Sequence, residues 1–243
     1  MAKYGLLGKN ISYSFSRTFF SNKFEKENKQ HTYDNFEIAC IEDFETLLTA
    51  HPDIKGLNVT IPYKEAIIPY LYKLDKESKE IGAVNTIKFR KDGKLVGYNT
   101  DHYGFAKSLI PYLPIHEKTA LILGTGGASK AIKYVLDAME FNYLQVSRTT
   151  SKEHITYRDV TKEIIDNHFL IINCTPLGTF PNVHETPKIP YQHLGKHHVL
   201  YDLIYNPRDT EFMKLGRAKG ARVTNGLKML EYQAEKSWSI WRK

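Results

Sequence analysis

Short apolar runs and helical repeats alternate along the first hundred residues, which is the pattern of an α/β fold. Apolar residues recur at helical spacing at Phe20 and Phe24, and again at Phe44, Leu47 and Leu48. The strands that this pattern predicts cover residues 4–8, 33–40, 54–59, 84–89 and 95–98. The last two flank Lys91-Asp92-Gly93-Lys94, a turn sequence typical of a hairpin, so we expect a hairpin added to an α/β unit.

A helix that begins at His102, carries Phe105 and Leu109 and stops at Pro111 precedes a second series of apolar runs. The strands predicted there cover residues 119–123, 144–149, 169–173, 199–203 and 221–224, with helices from about 127, over 158–167 and over 209–219. Strands that alternate with helices in this way predict a shortened, doubly wound parallel sheet. Residues 227–241 then form one amphipathic helical repeat.

Strand 119–123 leads directly into Gly124-Thr125-Gly126-Gly127-Ala128-Ser129, a G-x-G-x-x-S segment at the start of a predicted helix. The first amides of a helix have no intrahelical partner, and glycines let a pyrophosphate approach the backbone. This segment therefore predicts a dinucleotide site, with a glycine turn of no binding role as the alternative. A Walker loop fits poorly, because no Gly-Lys-Ser/Thr follows at the required spacing.

The following strand indicates which dinucleotide is bound. About 20 residues after the glycines, where an NAD site usually places an acidic residue, the chain has Ser147-Arg148-Thr149. A carboxylate would repel a 2′-phosphate, whereas a guanidinium can bind one bidentately. NADP is therefore favoured over NAD, although Arg148 could also be an ordinary exposed arginine.

Composition narrows the class of protein further. The formal charge of +7 is spread along the chain, and no zinc-finger or RNA-binding signature accompanies it, so nucleic-acid binding is not expected. The ten histidines lack metal-binding spacing, and no metal is expected. Two distant cysteines, Cys40 and Cys174, fit a reducing compartment. Without a signal-peptide core or an apolar run of membrane length, we expect a cytoplasmic protein.

Several polar residues lie where a packed core does not need them. Ser14 and Ser16 could hold a carboxylate, although spacing alone favours a helix cap. Lys64 follows a strand end, and Asn85 lies inside a predicted strand where a buried amide needs partners. Asp101 could be part of a helix cap. From spacing alone, each residue has an ordinary structural explanation.

In order and over nearly the whole chain, these segments resemble the shikimate dehydrogenase family. Residues 56–64, Gly-Leu-Asn-Val-Thr-Ile-Pro-Tyr-Lys, are similar to the family's N-V-T-x-P-x-K signature. The other matching segments are Ser14-x-Ser16, Gly82-Ala83-Val84-Asn85-Thr86, Gly97-Tyr98-Asn99-Thr100-Asp101, the glycine turn at 124–129, Ser147-Arg148-Thr149, Asn173 to Gly178, Asp202-x-x-Tyr205-x-Pro207-x-x-Thr210, and Gly226-x-x-Met229-Leu230-x-x-Gln233. So many matches in register are hard to attribute to chance.

The resemblance implies reversible reduction of 3-dehydroshikimate to shikimate by NADPH, a step of aromatic amino acid biosynthesis. It implies Lys64 as general acid and base, with Asp101 as its charge partner. The residues implied for the substrate are Ser14, Ser16, Asn58, Thr60, Asn85, Tyr205 and Gln233. Those implied for NADP are Gly124, Gly126, Gly127, Ala128, Ser129, Ser147, Arg148, Thr149, Thr175 and Gly226.

The resemblance also implies how the chain is divided. A substrate-binding and catalytic domain would comprise residues 1–101 and 226–243, because the C-terminal helix returns to it. A Rossmann-like NADP-binding domain would comprise residues 102–225. We expect a small-molecule substrate, no nucleic-acid or membrane partner, and a monomer or homodimer.

Three residues depart from the family's pattern. Tyr13 replaces a histidine, Arg17 replaces a proline and Ser147 replaces an asparagine, while both serines of the Ser14-x-Ser16 turn remain. Three alternatives stay open: an NAD-dependent quinate/shikimate dehydrogenase, another two-domain NADP dehydrogenase such as one acting on methylene-tetrahydrofolate, and a catalytically silent NADP-binding regulatory protein. Intact Lys64 and Asp101 argue against the silent protein.

Overall fold

The computed structural model describes residues 1–11, 14–113 and 117–243, which form two compact units. The first unit comprises Met1–Tyr103 and Glu231–Lys243, and the second comprises Gly104–Leu230. Each unit contains one six-stranded sheet whose strands are connected largely by helices, so the predicted α/β class is confirmed. Within these ranges, no helix combines the length and the apolar character of a membrane span.

The first unit carries a mixed sheet of order β2-β1-β3-β5-β6-β4. Strands β1, β2 and β3 are parallel to one another, and β5 runs antiparallel to both β3 and β6, as the predicted hairpin requires. The elements are β1 (Lys3–Gly8), α1 (Phe15–Lys26), β2 (Thr32–Glu37), α2 (Phe44–Ala50), β3 (Ile54–Val59), α3 (Tyr63–Ala66), β4 (Lys73–Leu74), α4 (Lys76–Ile81), β5 (Thr86–Phe89) and β6 (Leu95–Tyr98). The helix α5 (Asp101–Leu109) begins in this unit and continues into the second.

Strand pairing shifts two of the predicted limits in this sheet by two residues or more. β2 ends at Glu37, opposite the last residue of β1, rather than at Cys40. β5 begins at Thr86, which pairs with Asn58 on one side and Tyr98 on the other. The prediction that Asn85 lies inside the strand is therefore wrong, because Asn85 immediately precedes it.

The second unit carries an all-parallel sheet of order β12-β11-β10-β7-β8-β9. Counted from β7, this is the 3-2-1-4-5-6 order of a Rossmann fold, with its reversal of direction at β7. The elements are β7 (Thr119–Leu123), α6 (Gly127–Ala138), β8 (Asn142–Ser147), β9 (Ile155–Thr156), α7 (Lys162–Asp166), β10 (Leu170–Asn173), β11 (Val199–Asp202), α8 (Glu211–Ala218) and β12 (Arg222–Thr224). β8 ends at Ser147, two residues before the predicted limit, so Arg148 and Thr149 follow the strand.

The continuous apolar run of β7 reflects burial on both faces of its sheet. Ala120 and Ile122 belong to one hydrophobic cluster, which includes residues of α5 and α6. Leu121 and Leu123 belong to a second cluster, which includes Phe212 of α8. All four β7 side chains are fully buried, and this central strand therefore fixes the position of the glycine segment that follows it.

The last helix, α9 (Leu227–Arg242), belongs to the first unit from Glu231 onward. Trp238 and Trp241 pack in an aromatic cluster with Tyr4 and Phe20. The indole Nε1 of Trp241 donates to the carbonyl of Ile87 at 3.0 Å, which fixes the helix to β5. These contacts hold one face of α9 against the first sheet.

Asp202 is a fully buried carboxyl group at the end of β11. It accepts hydrogen bonds from the Thr210 hydroxyl (2.6 Å), the Ile204 amide (3.0 Å) and the Asn173 side-chain amide (3.0 Å). Burial nevertheless raises the pKa of Asp202 to about 6. Because the folded protein then binds this proton more tightly than the unfolded chain does, stability contributed at Asp202 decreases as pH rises from about 4 to about 6.

We therefore expect Asp202→Asn to change the pH dependence of unfolding. Relative to the variant, the wild type should lose stability as pH rises through this window, by about 3 kcal/mol if the full pKa rise is expressed. Unfolding temperatures of both proteins at pH 4.5, 5.5 and 7 measure the difference. The control is Asp209→Asn. The exposed Asp209 bonds with Arg217, which lowers the pKa of Asp209, so relative to this variant the wild type should gain stability as pH rises. Parallel curves for wild type and Asp202→Asn would contradict the assignment.

Gly226 lies where two backbone segments approach closely. Its amide donates to the carbonyl of Ile204 at 3.0 Å, and a Cβ at this position would lie 2.1 Å from the carbonyl oxygen of Leu203. Gly226→Ala should therefore destabilise the fold by at least about 1–3 kcal/mol, because the backbone must move. Gly126→Ala is the matched control, since a Cβ there meets no atom within 4 Å and the backbone has φ −74°. Thermal unfolding should separate the two variants, and equal midpoints would contradict the packing argument.

Candidate active site

A lysine and an aspartate from separate segments form an ion pair in the first unit. Lys64 lies in the short helix α3 directly after β3, and Asp101 is the first residue of α5. The Lys64 Nζ lies 2.7 Å from Asp101 Oδ2, and the two side chains retain only 16% and 10% of their exposure. The backbone also fixes the lysine, because the amide of Val84 donates to its carbonyl at 2.7 Å. An ammonium held in this way can donate a proton and stabilise a developing oxyanion.

Asp101 does not cap its own helix. That role belongs to Asn99, whose Oδ1 accepts hydrogen bonds from the amides of Asp101 (3.0 Å) and His102 (3.4 Å). The side chain of Asp101 remains available, and its second oxygen, Oδ1, accepts from Asn85 Nδ2 at 2.9 Å. The structure thus assigns the cap to Asn99 and the ion pair to Asp101.

The amide of Asn85 is oriented by donors on its oxygen side. Its Oδ1 accepts hydrogen bonds from the Thr100 amide at 2.6 Å and lies 3.1 Å from the hydroxyls of Thr86 and Thr100. Its Nδ2 consequently faces acceptors, Asp101 at 2.9 Å and Gln233 Oε1 at 3.3 Å. Asn85 is 3% exposed, and these contacts supply the hydrogen-bond partners that a buried amide needs.

Sequence reasoning missed four residues of this network, Tyr33, Thr86, Thr100 and Ser237. The Ser237 hydroxyl lies 2.8 Å from that of Thr86 and 3.1 Å from that of Thr100. Asn58 Nδ2 donates to Ser237 at 3.0 Å and to Thr86 at 3.1 Å. A signal existed for Ser237, which follows Gln233 by four residues and so shares its helix face. For Tyr33 and the two threonines, only their place beside motif residues could have suggested a role.

The predicted carboxylate turn lies at the start of α1. Ser14 is the helix cap, and its Oγ accepts from the amide of Arg17 at 3.3 Å. Ser16 is 8% exposed, and its side chain lies close enough to the Tyr33 hydroxyl to interact with it. Tyr13 lies outside the described residues. Thr60 follows β3 directly, and its amide donates to the carbonyl of Leu7 at 2.9 Å.

In the second unit, the glycine segment connects β7 to α6. Gly124 has φ +106°, a conformation that favours glycine, and Gly126 precedes the first helical residue, Gly127. A Cβ on Gly126 would meet no atom within 4 Å, so the space beside this backbone is open. The Ser129 hydroxyl is buried and donates to the Gly126 carbonyl at 2.7 Å, which stabilises the segment. Ala128 lies in the first turn of α6.

The remaining residues predicted for the cofactor lie at the ends of neighbouring strands. Ser147 closes β8, with its hydroxyl 3.5 Å from that of Thr125, and Arg148 and Thr149 are exposed after it. Thr175 follows β10, and its Cγ2 would lie 3.0 Å from a Cβ on Gly124, so it adjoins the glycine segment. Gly226, also predicted for the cofactor, lies against the backbone of Leu203, and this close packing accounts for the need for glycine there.

Hydrogen bonds therefore join the two predicted catalytic residues, Lys64 and Asp101, with three of the residues predicted for the substrate, Asn85, Gln233 and Asn58. The hydrogen bonds described here do not connect Ser14, Ser16 or Thr60 to this network. Tyr205 instead belongs to the second unit, between β11 and α8.

Comparison with known proteins gives a consistent result. Residues 6–87 match the family model described as the shikimate dehydrogenase substrate binding domain. A shikimate dehydrogenase (NADP(+)) of Clostridium botulinum is 39% identical over 248 residues, covering 98% of this chain and 95% of that protein.

Two solved structures extend the similarity to the whole fold. Shikimate dehydrogenase 1 from Peptoclostridium difficile is 38% identical with a TM-score of 0.88, covering 100% of this chain and 92% of that one. The Thermus thermophilus enzyme, solved in complex with NADP(H) and shikimate, is 27% identical with a TM-score of 0.87, covering 99% and 93%. These similarities confirm the resemblance found in the sequence motifs: the chain belongs to the shikimate dehydrogenase family.

Proposed function

We propose that this protein is an NADP-dependent shikimate dehydrogenase, which interconverts 3-dehydroshikimate and shikimate. The observation that carries the proposal is the Lys64–Asp101 pair, whose carboxylate is shared with the oriented amide of Asn85. Family membership supports it, since the relatives at 36–39% identity are named NADP(+)-dependent shikimate dehydrogenases. The two free cysteines fit the reducing cytoplasm, and the substrate is a small molecule.

Lys64 supplies the proton chemistry in this proposal. In the reduction, its ammonium donates a proton to the oxygen of the ketone as that oxygen becomes an alkoxide. In the oxidation, the neutral amine removes the same proton from the hydroxyl group. Asp101 orients the ammonium and balances its charge, while Asn85 occupies the other carboxylate oxygen so that this orientation is maintained.

The substrate's carboxylate and hydroxyl groups need hydrogen-bonding partners, and this unit provides several. We assign the carboxylate to the hydroxyls of Ser14 and Ser16 at the start of α1. We assign the ring hydroxyls to Asn58, Thr60, Asn85 and Gln233. Asn58, Asn85 and Gln233 are buried and held by neighbours, so their orientation is set before a ligand binds.

NADPH supplies the hydride when it is bound, and the second unit provides residues that fit it. The open backbone at Gly126 and the first amides of α6, at Gly127 and Ala128, suit its pyrophosphate. We assign the 2′-phosphate to the exposed Arg148, which follows β8, with Ser147 and Thr149 beside it. Thr175 borders the same glycine segment.

One spectrophotometric assay tests the proposal against its alternatives. Shikimate and quinate are each offered with NADP and with NAD, and formation of reduced nicotinamide is followed. Turnover of shikimate with NADP is the expected result. Preference for quinate or for NAD would identify the quinate/shikimate enzyme instead, and binding of NADP without turnover of either substrate would identify a silent protein.

Lys64→Ala should lower turnover of shikimate by about 100- to 10,000-fold, because the proton donor is lost. Affinity for NADPH, measured by fluorescence titration, should stay nearly unchanged, since the change lies in the other unit. Lys55→Ala is the control, because Lys55 is exposed on β3 and carries no assigned role. Wild-type turnover in Lys64→Ala would remove this residue from the mechanism.

Arg148→Ala should weaken binding of NADP much more than binding of NAD. The lost charge-assisted contact corresponds to about 10- to 100-fold in affinity. Gly126→Ala should weaken both nucleotides, because its methyl group enters the open space beside the backbone. Titration of each variant with both nucleotides separates the two effects, and equal losses for NADP and NAD in Arg148→Ala would contradict the 2′-phosphate assignment.

A further inference from the structure

Tyr33 on β2 lies beside two of the residues that we assign to the substrate. Its hydroxyl donates to Asn58 Oδ1 at 2.9 Å and lies close enough to the side chain of Ser16 to interact with it. Burial raises the pKa of this phenol, so the hydroxyl keeps its proton and remains a donor. The ring is 3% exposed and stacks on Phe20, with centroids 4.6 Å apart, which fixes the position of the hydroxyl.

The donation from Tyr33 favours one direction of the Asn58 amide. With Oδ1 bound to the phenol, Nδ2 faces acceptors on the opposite side, the Asn85 carbonyl (3.2 Å), the Thr86 hydroxyl (3.1 Å) and the Ser237 hydroxyl (3.0 Å). A reversed amide would place its oxygen against the Asn85 carbonyl, which offers no proton, and the donation from Tyr33 to Oδ1 favours the same orientation. Tyr33 therefore reinforces the direction of the Asn58 amide from its oxygen side.

From Asn58 the hydrogen bonds continue to the ion pair. The Thr86 hydroxyl lies 3.1 Å from Asn85 Oδ1 and, with Thr100, keeps that amide turned so that its Nδ2 reaches Asp101 at 2.9 Å. Asp101 in turn bonds Lys64 at 2.7 Å. A continuous series of hydrogen bonds therefore connects Tyr33, beside the proposed carboxylate site, with Lys64, which we assign to the reacting ketone.

We propose that Tyr33 is a positioning residue of the reaction: its hydroxyl orients Asn58 and, through Thr86 and Asn85, the Asp101 carboxylate that holds Lys64. The kinetic part of this proposal rests on the proposed function. Tyr33 is buried and is not assigned to either reactant, so it acts through Asn58 and Asp101. Its loss should therefore affect both substrate binding, through Ser16 and Asn58, and the chemical step, through Asp101.

Tyr33→Phe tests this, because it removes one oxygen atom and keeps the ring that stacks on Phe20. The KM for shikimate should rise and kcat should fall, lowering kcat/KM for shikimate by about 10-fold. The KM for NADP should not change. The matched control is Tyr4→Phe, which removes a phenol oxygen from the same aromatic cluster, where the Tyr4 ring stacks on Trp241. Tyr4→Phe should leave all three constants at wild-type values.

A second measurement does not depend on activity. In ¹H–¹⁵N spectra, the side-chain amide signals of Asn58 and Asn85 should shift in Tyr33→Phe and remain in place in Tyr4→Phe. If the wild type oxidises shikimate and Tyr33→Phe matches it in kcat and KM, the inference is overturned while the proposed function stands. If the wild type does not oxidise shikimate, the proposed function fails, and the spectra alone decide: an unmoved Asn85 signal overturns the positioning role, and a shifted one supports it.

Discussion

The two oxygens of the Asp101 carboxylate have different neighbours, and the site depends on that division. One oxygen faces the Lys64 ammonium and the other faces the Asn85 amide. A carboxylate bound on one side only could rotate, and the ammonium would rotate with it. Because Asn85 is itself held by Thr86 and Thr100, the direction of the lysine is set by uncharged groups in the interior of the first unit. An ion pair supported in this way is defined in geometry as well as in charge.

This arrangement requires segments that are distant in the sequence to meet. Lys64 follows β3, Asp101 begins α5, and Gln233 and Ser237 arrive on α9. The packing of α9 against the first sheet brings Gln233 and Ser237 to the site. This packing requires a glycine at position 56, since a Cβ there would lie 2.4 Å from the Trp241 ring. The absence of a side chain at Gly56 lets the indole lie against the sheet and donate to the Ile87 carbonyl. A glycine on β3 is therefore part of the support of the site, although it touches none of the proposed catalytic residues.

The sequence predicted the central strands well, because strands buried on both faces are nearly continuous apolar runs, as in β7. It missed β4, α4 and β9, which lack such a signal. β4 and β9 have two residues each and lie at sheet edges. The α4 segment Lys-Glu-Ser-Lys-Glu-Ile is mostly polar, and the helix is fixed by its ends, an Asp75 cap that accepts from Ser78 and a left-handed Gly82.

The candidate site, too, was predictable only where the sequence carries a local signal. The resemblance of the motifs to a known family pointed to Lys64 and Asp101, whereas the role of Tyr33 depends on a stacked ring and on the direction of one amide, neither of which the order of residues reveals.

The division of the first unit along the chain has a consequence for biosynthesis. The aromatic surface formed by Tyr4, Phe20, Phe24 and Tyr33 is covered by Trp238 and Trp241, but all of Gly104–Leu230 must be translated before these tryptophans exist. During synthesis on the ribosome, this hydrophobic surface of the first sheet therefore remains exposed to chaperones and to other nascent chains until the intervening unit has been made. The proposed active site can be completed only after α9 has been synthesised, because this helix carries Gln233 as well as the two tryptophans.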